Sequence, residues 1–124
     1  KKDLKGIFLT HAHIGHYTGL MYFGREALNS YLVNVYAMPR MKIFLEENVP
    51  WSQLVSLKNI SIKGINNDSK LSIDQNVIIE PIEVPHRAEF SETVKTIRDF
   101  FTTRLIINHD IFQWRYDGQK CGKS

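Results

Sequence analysis

Leu4-Lys5-Gly6-Ile7-Phe8-Leu9-Thr10-His11-Ala12-His13-Ile14-Gly15-His16-Tyr17 is the stretch on which the reading of this chain turns. Its first half is a short apolar run rich in strand formers, ended by Thr10. Its second half gathers three of the chain's five histidines. A helical pattern then starts near His16 or Tyr17 and continues through Leu20, Met21, Phe23, Ala27 and Leu28. The histidines thus stand where a strand stops and a helix starts, and a rigid strand end is where layered α/β folds tend to build sites.

His11 and His13 alternate by two, so in extended backbone they point the same way. His16, at the helix start, can swing back toward the same point. Imidazole is the commonest side-chain metal ligand. Protonated imidazoles packed this closely would repel one another, so a shared cation is the simplest reason to gather them. The bland alternative is a polar loop whose histidines are solvated or act as caps.

The rest of the chain alternates strands with short helices. Val33 to Ala37 is a strand candidate, and Pro39 suits the first turn of a helix running through Ile43, Phe44 and Leu45 to about Glu47. Pro50 ends that pattern, and Trp51 to Leu57 reads as a short helical turn or loop. Asn59 to Ile65 alternates as a strand, and Asn66-Asn67-Asp68 is a turn. Lys70 to Ile73 and Val77 to Val84 form a hairpin around Asp74-Gln75-Asn76, with an irregularity expected at Pro81. Thr102 to Ile107 is a further β-rich run, followed by Asn108-His109-Asp110. A βαβα start followed by several strands suits one α/β layer pair with mixed strand direction.

Pro85 stops the Ile78–Val84 run, and His86 lies just past the end. Alone, such a histidine reads as exposed; with the upstream cluster, it reads as a ligand brought in from a second strand end. Arg87 offers a rigid fork of donors for an anionic substrate group, and equally suits an ordinary surface ion pair. Tyr17 is near enough to donate a hydrogen bond to substrate, or to pack. Arg25 and Arg40 read as solvated surface residues.

Composition narrows the function classes. A chain of 124 residues is one domain at most. Hydrophobic content of 43% and aromatic content of 11% are those of a globular protein. The formal charge of +3 is mild and its basic residues are dispersed, so no nucleic acid partner is indicated. No apolar stretch approaches the ~20 residues that span a bilayer, so no membrane partner is expected. The single cysteine, Cys121, excludes an intrachain disulfide and is not spaced for a zinc knuckle. The expected partner is a small-molecule substrate. A soluble cytoplasmic or periplasmic protein is expected, with any signal peptide lying ahead of Lys1.

The run Thr10-His11-Ala12-His13-Ile14-Gly15-His16-Tyr17-Thr18-Gly19 resembles the His-X-His-X-Asp-His signature of the metallo-β-lactamase fold superfamily. His16-Tyr17-Thr18-Gly19-Leu20, Tyr36-Ala37-Met38-Pro39-Arg40-Met41, and Val84-Pro85-His86-Arg87 with Phe90-Ser91-Glu92-Thr93 resemble the branch containing pyrroloquinoline-quinone biosynthesis protein B. The likeness covers the chain to about Val94 and fades over Lys95 to Thr103. It implies an α/β fold: a partial αββα sandwich with a mixed sheet and flanking helices, truncated at both ends. Residues 1–124 are then a fragment of a single metallo-β-lactamase-like domain.

On the same resemblance, His11 and His13 match two ligands of the first metal site and His86 the third. His16 matches a ligand of the second site, and Asp110 stands near the position of a bridging aspartate. Gly15 replaces the aspartate that helps hold a second metal and the attacking water, so one zinc ion is expected, with iron or manganese as alternatives. No histidine follows His109, so the last ligand of the family pattern is missing from this sequence. The implied activity is hydrolysis of an ester, amide or phosphodiester by metal-activated water, with Asp110 and His16 as catalytic candidates. Oxidative chemistry in cofactor biosynthesis, and metal binding without turnover, are the alternatives.

Overall fold

The computed structural model describes residues 4–83, 85, 90–92, 94–99 and 106–108. The elements run β1 (Ile7–Leu9), two 3₁₀ turns (Ile14–His16 and Thr18–Phe23), β2 (Val33–Ala37), α1 (Pro39–Glu47), α2 (Trp51–Ser56), β3 (Ile60–Gly64), β4 (Leu71–Asp74), β5 (Val77–Glu83), β6 (Val94–Asp99) and β7 (Ile106–Asn108). They form two sheets. The first is four-stranded in the order β3-β2-β1-β7, with every pair parallel. The second is three-stranded in the order β4-β5-β6, with both pairs antiparallel. Parallel and antiparallel pairing thus both occur, segregated by sheet.

Period-two alternation sorts the strand residues between two cores. Ile7, Leu9, Val35, Ala37, Ile60 and Ile62 join Met41, Leu45 and Leu54 of the helices in one buried cluster. Phe8 points the other way and joins Met38, Ile65, Val77 and Ile79 in a second, with Tyr36 packed against it. The parallel sheet is therefore covered on one face by α1 and α2 and on the other by the antiparallel sheet. That is an α/β/β stack, three layers of an αββα sandwich, and it explains why all three residues of β1 are buried.

Gly6, just before β1, is required by this stacking. A Cβ added there would meet Tyr36 Cε2 at 2.5 Å, and the Tyr36 ring cannot move off freely because it stacks on Phe8 with centroids 4.4 Å apart. Gly6→Ala is expected to destabilise the fold by about 1–3 kcal/mol, read as a lower urea midpoint.

The α1 helix begins where Pro39 occupies the first helical position, and it buries Met41 and Leu45, four residues apart, on one face. Lys42 and Glu46 pair on its surface, and Asn48 Nδ2 donates back to the Phe44 carbonyl at 2.8 Å to close the end. The capping residue Met38 supplies no side-chain hydrogen bond. The Glu92 carboxylate does so from far along the chain, accepting the Arg40 N–H at 3.1 Å.

Two expectations are corrected. The helix expected from His16 or Tyr17 to Leu28 is not α-helical: two 3₁₀ turns occupy Ile14–His16 and Thr18–Phe23. Tyr17 and Leu20 are buried and Phe23 packs against the same core, a spacing of three that matches the three residues per turn of a 3₁₀ helix. Gly15, Gly19 and Gly24 weigh against a longer α-helix there. Pro81 causes no break either, since β5 pairs with β6 continuously from Ile78↔Asp99 to Glu83↔Val94. The Pro81 carbonyl accepts from Asp68 N at 3.0 Å, so its nitrogen faces away from β6 and the ladder loses no donor. The register shift lies on β4 instead, between Ser72 and Asp74. β6 occupies Val94–Asp99, a segment for which the sequence reading named no element.

Candidate metal centre

The histidine run leaves the carboxyl end of β1, a strand lying between β2 and β7 in the parallel sheet. Open parallel sheets place ligand sites beyond the carboxyl ends of their strands. Leu9 ends β1 paired with Asn108 of β7. His11 and Asp110 are each two positions further along their own segments.

His11 is buried and His13 partly so, and His11 Nε2 lies 2.9 Å from His13 Nδ1. Their rings meet edge to face at 78°, with centroids 4.4 Å apart. On the other side of His11, Nδ1 lies 2.9 Å from the hydroxyl of buried Thr10. In the tautomer that puts a proton on His11 Nδ1, that N–H donates to Thr10 Oγ1 and the Nε2 lone pair accepts from His13 Nδ1–H. Moving the His13 proton to its own Nε2 turns two lone pairs toward one point at no change in net charge. Thr10 then does what outer partners of metal-binding imidazoles do, holding the ring orientation through Nδ1.

His16 stands off. Its ring centroid is 4.5 Å from that of His11 but 6.5 Å from that of His13. Its backbone N–H donates to the His13 carbonyl at 2.8 Å, which forms the first 3₁₀ turn and folds the loop back on itself. Gly15, between them, is exposed, and a Cβ there would meet none of the described residues within 4 Å.

The donor chemistry, imidazole nitrogens facing one another, fits a borderline divalent cation. Among the described residues, no group of three histidine, cysteine, aspartate or glutamate side chains is assembled to hold one. His86 and Asp110 lie outside the described residues, as do Arg87, His109 and Cys121.

Three other residues weighed in the sequence lie in the core or at the surface. Tyr17 is buried, with its ring edge-to-face against Phe44 at 5.4 Å and Trp51 at 5.1 Å, so it packs. Arg25 is exposed and pairs with Glu26 at 3.0 Å, and Arg40 is exposed at the start of α1. An open groove of about 650 Å³ beside α1 and α2, lined by Glu46, Val49, Pro50, Ser52, Gln53 and Val55, contains none of the histidines.

Two participants were invisible to sequence reasoning as individual residues. Thr10 entered it only as the end of a strand. Ser91, buried at 2% exposure, accepts the Ala12 N–H at 2.7 Å across 79 positions of sequence. No local pattern signals a bond of that separation.

The model of the beta-lactamase superfamily domain matches residues 1–108. The chain belongs to the beta-lactamase superfamily. The two sheets and the flanking helices agree with a part of that fold. No curated protein and no solved structure matches the chain. No helix among the described residues of this superfamily member is long and apolar enough to cross a membrane.

Proposed function

We propose that this chain carries the metal site of a metal-dependent hydrolase that cleaves an ester, amide or phosphodiester bond. The observation that carries this reading is the facing pair of nitrogens, His11 Nε2 and His13 Nδ1, at the carboxyl end of β1. Membership of the beta-lactamase superfamily supports it. In this reading His11, His13 and His86 hold one ion, zinc before iron or manganese. The pairing of Leu9 with Asn108 supports Asp110 as a further group at the same sheet end.

The chemistry supplied by a bound zinc is activation of water near neutral pH and polarisation of a carbonyl or phosphoryl oxygen. Thr10 holds the His11 ring through Nδ1, and with the proton on that nitrogen Nε2 is left as a lone pair for the ion. Asp110 accepts the proton released by the attacking water. His16 supports the first ion's ligands through a hydrogen bond or joins a weakly held second ion. The test is metal analysis of the full chain joined to assays on simple esters, amides and phosphodiesters. Bound zinc with turnover supports the reading. Tightly bound iron with oxygen consumption favours the oxidative chemistry implied by the cofactor-biosynthesis branch.

Gly15 favours a second reading, a relative that binds metal without turnover, because glycine supplies no carboxylate where the superfamily signature has one. Open space around Gly15 makes the reverse substitution a clean experiment. Gly15→Asp is expected to fold normally and to raise metal content from one ion toward two, measured by elemental analysis. Metal content unchanged in Gly15→Asp removes His16 from the ligand set. Metal without hydrolysis in both proteins selects the second reading.

A further inference from the structure

We infer that Ser91 is a positioning residue for the histidine pair, acting through the backbone of Ala12. Ala12 separates His11 from His13, and its N–H donates to Ser91 Oγ at 2.7 Å, with both residues buried. The residues of this loop between Leu9 and Ile14 belong to no strand or helix, so no ladder fixes their backbone. The Ser91 hydroxyl, 79 positions away in sequence, holds the loop at its middle residue. The neighbours of Ser91 anchor it in turn: the Glu92 carboxylate accepts the Arg40 N–H of α1, and the Phe90 ring stacks on Phe44 of the same helix with centroids 5.9 Å apart. Segment 90–92 is therefore a strap from α1 to the middle of the histidine loop. Releasing the strap frees the peptide whose two ends set the 2.9 Å approach of His11 Nε2 to His13 Nδ1.

The consequence for metal affinity rests on the metal-site reading above, whereas the geometric claim holds without metal. The variants are Ser91→Ala, Ser91→Cys and Ser91→Thr in the full chain. Cysteine keeps most of the side-chain volume with a weak acceptor, and threonine keeps the hydroxyl. In metal-free protein, Ser91→Ala and Ser91→Cys are expected to change the imidazole ¹⁵N signals of His11 and His13 and to speed hydrogen exchange at the Ala12 amide, while Ser91→Thr keeps the native pattern. Cobalt(II) titration should show binding about 10–100-fold weaker in the first two variants, with altered d–d bands. Asn48→Ala serves as the contrast: it removes the bond that closes the far end of α1 and lowers the melting temperature, and leaves the imidazole signals native. Native imidazole signals and native Ala12 exchange in both Ser91→Ala and Ser91→Cys overturn the inference. Should Ser91→Ala fail to fold, the comparison of the cysteine and threonine variants decides by the same readouts. If the unmodified protein takes up no cobalt, the metal reading falls, and the metal-free signals still decide the role of Ser91.

Discussion

Replacing His11 and His13 together with alanine is expected to abolish stoichiometric metal binding by the full-length protein. The two rings supply the facing nitrogens at 2.9 Å, and with both removed His16 alone is left of the three clustered imidazoles. The His16 ring lies 6.5 Å from that of His13, outside the pair, so His16→Ala should leave the first ion in place. Loss on the double substitution with retention on His16→Ala is the signature of a site built on the strand tip and not on the 3₁₀ turn. Circular dichroism separates this from unfolding, since both rings project beyond the end of β1 and leave its ladder intact. Metal content equal to that of the unmodified protein in the double variant refutes the ligand assignment.

The largest effect on stability is expected from Phe8→Ala. Phe8 is 1% exposed, stacks on Tyr36 with an interplanar angle of 10°, and sits with Val77 and Ile79 of the second sheet. Removing a buried aromatic ring of this kind costs about 3–5 kcal/mol, a large part of the roughly 5–15 kcal/mol that holds a typical domain folded. Urea unfolding measures it directly. A cost under about 1 kcal/mol would mean that the two sheets do not share a core at this point. The residue also links stability to function, because β1 carries Phe8 in the core and presents His11 just beyond its end. A loosened sheet contact is therefore expected to weaken metal retention as well.

Much of this arrangement was legible in the sequence where local physics decides. The apolar run to Leu9 and the histidines after Thr10 mark the strand end correctly. Pro39 marks the start of α1, and the helix runs from Pro39 to Glu47 as its pattern suggests. The hairpin turn is at Gln75-Asn76, with the Asn76 N–H donating to Asp74 Oδ1 at 2.8 Å, a contact the aspartate makes with its own turn. The segment after His16 misled because apolar residues spaced by three fit both helix types, and only the glycines argue for the shorter turns. Pro81 misled because its effect depends on which edge its nitrogen faces, a property of the sheet and not of the strand.

The part of the site that could not be read is the part built by distant bonds. Ser91 meets Ala12 across 79 positions and Glu92 meets Arg40 across 52, and both contacts exist only because the strap crosses the end of the parallel sheet. Thr10 was hidden for a different reason. A threonine ending a β-run is ordinary strand chemistry, and its bond to His11 Nδ1 depends on a ring orientation that spacing does not specify.

The account stands on imidazoles from separate segments meeting at one ion beyond the end of β1. X-ray diffraction from zinc-loaded full-length protein, with the ion located by its anomalous signal, tests this most directly. The predicted result is one strongly occupied zinc about 2.0–2.1 Å from His11 Nε2, His13 Nδ1 and a nitrogen of His86. A zinc bound elsewhere, with the His11 and His13 rings still hydrogen-bonded to each other, would contradict it.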